Sequence, residues 1–260
     1  MSAHACYFRF AGELPLVATA IHDGHRVRPD TETLLALSSP DRRREEDPYT
    51  SCWTTIAPNR VIALRSRFEV DLNRPRERAI YWRPSDAWGL DVWRDMLPTE
   101  FIDASLAQYD AFYDSFHALL GSLERMFGRF VVYDLHSYNH RRMGSKGPPE
   151  DPEQNPEINL GTGTMDRKRW GTVVDRFLEI MAEAPVVGRP FDVRENVKFR
   201  GGHLSQWVHR NFPRTGCCLA IEVKKIFMDE WTGVPDYSRI RAIRDALRAT
   251  VPGVLEALRG

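Results

Sequence analysis

Along the chain, short apolar runs alternate with longer stretches in which apolar residues recur every three or four positions. Residues 16–21 (LVATAI), 61–65 (VIALR), 129–135 (RFVVYDL) and 217–223 (CCLAIEV) are nearly continuous in apolar types, which predicts strands of a well-covered sheet. Residues 101–127 put Leu106, Tyr109, Tyr113, Phe116, Leu119 and Leu120 at helical spacing, enough to cover one sheet face. Residues 167–183 and 236–260 predict two further helices, the second split by Pro252, which lacks an amide donor. Strands interleaved with helices indicate an α/β layer fold.

Two stretches have little apolar periodicity and many turn residues: 41–50 (DRRREEDPYT) and 140–164 (HRRMGSKGPPEDPEQNPEINLGTGT). Both read as surface loops, with the Arg42 to Arg44 run as a solvated face. The second exceeds the roughly 12 to 15 residues at which structureless connections become uncommon, so a lid or rim is expected there.

Composition narrows the function. The 260 residues carry 36 Lys+Arg against 36 Asp+Glu, so no net positive field accompanies the 7 Trp and 8 Tyr, and a nucleic-acid partner is not expected. A 42% hydrophobic content supports a sizeable core, and the length suits a single domain over 1–260. No run approaches the roughly 20 apolar residues of a membrane helix, and the first residues lack the marks of a signal peptide. A cytoplasmic enzyme without a membrane partner is therefore expected. Cys6, Cys52, Cys217 and Cys218 have no zinc-ribbon spacing and read as small reduced core residues.

Polar residues concentrate where predicted strands end, the place where ligands bind in α/β sheets. His22 and His25 flank Gly24 after the first strand and are candidate metal ligands. Arg67, Asp71, Asn73 and Arg74 fall within eight residues, either a salt-bridged edge or an anchor for an acidic substrate. Asp134, His136, Ser137 and His140 end a very apolar strand, with Asp134 and His136 on one face, so that the carboxylate can orient the imidazole. Glu222 lies near the end of another apolar strand, where an isolated carboxylate is rare unless paired or catalytic. Together these types suit metal-assisted hydrolysis of an amide in an acidic substrate.

The order of these residues resembles the N-formylglutamate amidohydrolase (deformylase) family. The resemblance is carried by IHDGH (21–25), REED (44–47), SRFEVDLNRP (66–75), DLHSYNHRR (134–142), NPEINLGTGT (155–164), FRGGHLSQWVH (199–209) and AIEVKKIFMDEWTG (220–233). More distantly the chain is similar to the zinc carboxypeptidase and aspartoacylase superfamily. The resemblance implies a three-layer α/β/α fold with a mixed central sheet. It implies one zinc ion on His22 and His136, Asn73 and Arg74 holding the substrate carboxylate, and Glu222 as general base and acid. The third ligand departs from the carboxypeptidase pattern, which has Glu where this chain has His25; Asp47 is expected, with Glu46 and His25 as alternatives.

In that scheme Arg67 stabilises the oxyanion, and Arg200 or His203 in the FRGGH segment adds substrate contacts. The expected partner is a small acidic amide, N-formyl-L-glutamate above all. A deacylase or carboxypeptidase-like hydrolase of another N-acyl amino acid or small peptide, or a non-catalytic binding protein, are the alternatives. Residues 229–233 (DEWTG) are either a partner surface or a loop packed on the site. Monomer and homo-oligomer are both open.

Overall fold

In the computed structural model, residues 5–186 and 188–260 are described. Their elements, in chain order, are β1 (Cys6–Arg9), β2 (Leu16–Ala20), α1 (Pro29–Leu34), α2 (Ser39–Glu45), α3 (Thr50–Trp53), β3 (Asn59–Ala63), α4 (Thr99–Phe127), β4 (Phe130–Tyr138), β5 (Ile158–Gly161), α5 (Arg167–Glu183), β6 (Pro185–Val186), β7 (Arg189–Pro190), β8 (Val193–Glu195), α6 (His203–Asn211), β9 (Gly216–Lys224) and α7 (Tyr237–Arg259). Seven strands form one mixed sheet in the order β1-β3-β2-β4-β9-β5-β8, and β6 pairs with β7 apart from it. The centre, β3-β2-β4-β9, is parallel. β1 and β5 run antiparallel to their inner neighbours, and β8 is parallel to β5.

The apolar runs explain this centre. All nine residues of β4 and all five of β2 are buried, as a parallel strand covered on both faces requires. Against one face lie α5 and α7, whose Trp170, Phe177, Ile243 and Leu247 join Leu16, Val131, Tyr133, Cys217 and Leu219 in one core. Against the other lie α4 and α6: Phe112, Phe116, Leu120, Leu204 and Val208 pack on Val17, Val61, Val132 and Cys218. The result is an α/β/α sandwich. Burying a side chain such as Phe116 contributes roughly 1.5–3 kcal/mol. A third, smaller cluster of Leu35, Phe68, Tyr81, Ala87 and Val92 roots the long connection between β3 and α4.

Several local expectations are corrected. Pro252 does not split the last helix, because α7 runs through it unbroken. Ile243 and Leu247 before the proline and Val254, Leu255 and Leu258 after it share one core, so tertiary packing outweighs the missing amide. Residues 41–50 are not a surface loop. They comprise most of α2, where Arg42 and Glu45 are nearly inaccessible, and a turn in which Glu46 and Asp47 are buried as well. The Arg42 to Arg44 run is not a solvated face, since Arg42 donates to the His25 carbonyl and the Arg44 guanidinium lies 3.6 Å over the Trp231 ring. Within 140–164, the buried strand β5 replaces the second half of the expected loop. Cys217 and Cys218 are buried as expected, Cys6 is half-buried, and Cys52 is exposed rather than a core residue. No helix of the described residues is long and apolar enough to cross a membrane.

Candidate metal centre and active site

The carboxyl ends of the adjacent parallel strands β2, β4 and β9 bring three chemical groups together. His22 follows β2 in a turn, His136 lies within β4, and Glu222 stands beside His136 in the β4–β9 register. Asp47 arrives from the turn after α2. Its backbone N–H donates to the His22 carbonyl at 2.9 Å, which pins this segment against the end of β2.

His22, Asp47 and His136 are buried, and one ligand atom from each lies within 4.8 Å of the others. Asp47 Oδ2 stands 3.4 Å from His22 Nδ1 and 3.0 Å from His136 Nδ1. The far nitrogen of each ring meets another carboxylate: His22 Nε2 is 2.7 Å from Asp71 Oδ1, and His136 Nε2 is 3.1 Å from Asp134 Oδ1. Such partners fix ring orientation and raise ligand basicity in metal sites. The buried Nδ1 of His22 has no hydrogen-bond partner among the described residues. An orphaned imidazole nitrogen beside a carboxylate and a second imidazole is a donor set that zinc accepts. The residues therefore fit a divalent cation.

The other two candidates for the third ligand are engaged with each other. His25 Nδ1 meets Glu46 Oε2, its Nε2 meets Ser39 Oγ at 2.8 Å, and Glu46 also accepts from the Ser66 hydroxyl.

The electrostatics follow from burial and charge. Burial penalises the Asp47 carboxylate, but His136 and His22 hold its pKa far below the usual range. Asp71 is likewise held down against burial, by Arg67 and His22. Burial disfavours protonated His136, yet Asp134, Asp47 and Glu222 raise its pKa well above the ordinary value. Glu222 lies outside the ligand group, and burial, opposed by His136, pushes its pKa up to about 8. No side chain among the described residues hydrogen-bonds it, so its carboxyl is available to a small molecule in the cleft.

A cavity of about 190 Å³ opens on this group, bordered by His22, Asp47, His136, Glu222, Arg67 and Asn73. Pockets for drug-sized ligands run to roughly 300–1,000 Å³, so this one suits a smaller molecule. Arg67 is locked by Tyr81 Oη at 2.9 Å and Asp71 Oδ2 at 2.8 Å. Asn73 Oδ1 accepts the Leu204 amide at 2.9 Å, and its Nδ2 lies 3.5 Å from His136 Nε2. The close approach of Asn73 to the chain is permitted by Gly202, where a Cβ would stand 2.4 Å from the Asn73 amide; the preceding Gly201 has φ +113°.

Three sequence candidates stand away from the cavity lining. Arg74 donates to the Asp86 carbonyl and lies over the Tyr81 ring, His203 Nε2 meets Tyr109 Oη at 3.0 Å, and the Arg200 side chain lies beside Gly163. The structure adds lining residues that sequence reasoning did not weigh for chemistry: Arg142, Lys225, Glu45 and Trp88. Arg142 sits inside DLHSYNHRR and Lys225 inside AIEVKK, so adjacency to the two strand-end clusters was the available signal. The 229–233 turn packs behind the site, where Glu230 accepts the His140 amide.

The N-formylglutamate amidohydrolase family model matches residues 14–228. The chain belongs to that family. No curated protein sequence matches it. Among solved structures, it is similar to the N-formylglutamate amidohydrolase of Ralstonia eutropha at 16% identity, with a TM-score of 0.77 and coverage of 99% of both chains. It is also similar to a gene product of Agrobacterium tumefaciens at 17% identity, with a TM-score of 0.71 and coverage of 99% of this chain and 97% of that one. At these identities the likeness establishes the α/β fold, while membership in the amidohydrolase family rests on the sequence match.

Proposed function

We propose that this family member is a zinc-dependent amidohydrolase that removes the formyl group from N-formyl-L-glutamate or a similar N-acyl acidic amino acid. The observation that carries this reading is the convergence of His22, Asp47 and His136 beside Glu222, a carboxyl without a side-chain hydrogen bond among the described residues, within a small cavity. Zinc held by those three residues would supply Lewis acidity, which lowers the pKa of water toward about 7 and polarises an amide carbonyl.

The chain's own groups account for the remaining steps. Glu222, with its pKa near the operating pH, takes the proton of the attacking water and delivers it to the departing amine. Arg67 is held rigid by Asp71 and Tyr81 and offers its positive charge to the developing oxyanion without reorganisation. Asp71 and Asp134 keep the two imidazoles in place. Asn73, clamped by the start of α6, presents its amide to the substrate. Arg74 and His203 lie outside the lining, where Tyr109 Oη donates to the Arg74 carbonyl and meets His203 Nε2, and Arg200 packs beside Gly163.

The test is elemental analysis of purified protein together with formate release from N-formyl-L-glutamate, with acetyl- and succinyl-glutamate alongside. The expected result is about one zinc per chain and formate release that a chelator abolishes. Absence of formate release by zinc-replete protein would overturn the reading, and faster hydrolysis of an acetyl or succinyl substrate would move it to another deacylase.

A further inference from the structure

Two guanidiniums line the cavity, Arg67 and Arg142, and they differ in how their donors are used. Arg67 commits all three of its nitrogens to protein acceptors: Tyr81 Oη, Asp71 Oδ2 and, at 3.4 Å, the Glu45 carbonyl. Arg142 is different. Its Nη1 and Nη2 donate to Glu45 Oε1 and Oε2, both at 3.1 Å, an arrangement that fixes the guanidinium plane. An arginine has five N–H donors, so Nε–H and the outer N–H groups of Arg142 remain without protein acceptors among the described residues. The Glu45 side chain is 4% exposed and that of Arg142 33%, so the pair is rooted in the wall and opens outward.

Two neighbours reinforce this geometry. The Trp88 ring faces both guanidiniums, with its centroid 4.9 Å from Arg67 and 5.8 Å from Arg142. Its backbone adopts φ +53°, which a bulky residue rarely does and which is characteristic of functional segments. Lys225 borders the same cavity and is 1% exposed. Its ammonium donates to the Arg44 and Glu46 carbonyls, and among the described residues no carboxylate is hydrogen-bonded to it. The Arg142–Glu45 pair is close to neutral, and Lys225 adds a cation behind it in the same wall.

We propose that Arg142, backed by Lys225, binds the side-chain carboxylate of the substrate and sets a preference for dicarboxylic over neutral N-acyl amino acids. The proposal rests on the amidohydrolase reading for its substrate. It adds a residue that touches the part of that substrate farthest from the reacting amide.

The experiment compares zinc-replete wild type, Arg142→Met and Arg142→Lys on N-formyl-L-glutamate and its neutral isostere N-formyl-L-glutamine, with metal content measured on each. Calorimetric binding of L-glutamate and L-glutamine to the same proteins is the second readout. Arg142→Met is expected to raise KM for the dicarboxylate roughly 10- to 100-fold, the span of a lost charge-assisted hydrogen bond, with little change for the neutral substrate and in kcat. Arg142→Lys is expected to recover part of the preference, since it keeps the charge and loses the fork. An equal KM rise for both substrates, or a fall in kcat with KM unchanged, would overturn the proposal and make Arg142 a support for Glu45. If wild type cleaves neither formyl compound, the enzymatic reading falls. The glutamate-over-glutamine binding preference and its loss in Arg142→Met then still decide whether Arg142 is the anchor.

Discussion

His136 and Glu222 occupy paired positions on the neighbouring parallel strands β4 and β9, so the sheet register itself sets an imidazole beside a carboxyl. Neither residue depends on a loop for its placement. Glu222→Gln preserves shape and removes the acid. We expect it to retain zinc and to lower kcat by a factor of roughly 10² to 10⁴, the range for lost general acid–base catalysis. Turnover rates and metal content together check this, and loss of zinc would make Glu222 a ligand instead.

Asp71 and Asp134 perform parallel tasks behind the two rings, but their other partners differ. Asp134 accepts the Thr19 hydroxyl at 2.7 Å, whereas Asp71 also neutralises the largely covered Arg67 guanidinium, whose side chain is 12% exposed. Asp71→Asn and Asp134→Asn should each weaken zinc binding by roughly 10- to 100-fold. Asp71→Asn should in addition destabilise the fold by about 3 kcal/mol, because a buried charge loses its partner. Zinc competition titrations and urea unfolding separate the two effects.

Gly202→Ala tests the cavity wall without altering any charge. The new Cβ would meet both terminal atoms of the Asn73 side chain at 2.4 Å and displace the group that accepts the Leu204 amide at the start of α6. A stability loss of about 1 kcal/mol, typical of a lost cap, is expected with a higher KM and unchanged zinc content. Wild-type kinetics in this variant would show that Asn73 is not part of the substrate wall.

Acid sensitivity should arise partly from His209. Burial pushes its pKa down to about 4, and the neutral ring accepts the Cys218 backbone amide at 3.0 Å on Nε2 and meets Thr164 Oγ1 on Nδ1. Between its ordinary value of 6.5 and about 4, the unfolded chain binds the proton and the folded chain does not, so stability declines as pH falls through that window. His140, also lowered to about 4 by burial, adds in the same direction. Urea midpoints measured from pH 7.5 to 4.5 should fall, and His209→Gln should flatten part of that slope.

Where side-chain patterning was strong, the fold was readable. The four apolar runs became β2, β3, β4 and β9, and the periodic segment 101–127 became α4, because burial on one or both faces leaves its mark on consecutive residues. The buried turn at Asp47 was not readable from composition. Its charges are satisfied by distant partners, with Arg142 on Glu45, Ser66 on Glu46 and Lys225 on backbone carbonyls, and no local spacing reveals a contact between residues 45 and 142. Strand β5 escaped for a related reason: INLG is short, sits between turn formers, and becomes a strand only because β9 and β8 offer it their edges. Asp47 itself was reached through family resemblance, whereas His22, His136 and Glu222 were visible as polar residues at the ends of apolar runs.

His136 belongs to a rigid strand and Arg142 to the irregular segment just beyond it, so on the proposed roles reactivity and selectivity would rest on different kinds of backbone only six positions apart. The stretch after Tyr138 lies outside the ladder that holds His136, but its Asn139 and Arg142 side chains brace the Arg44 carbonyl and the Glu45 carboxylate of the Asp47 turn. Under the proposed roles, relatives or a protein engineer could change selectivity through residues of this stretch that do not touch the Asp47 turn, leaving the strand-borne His136 and Glu222 in place.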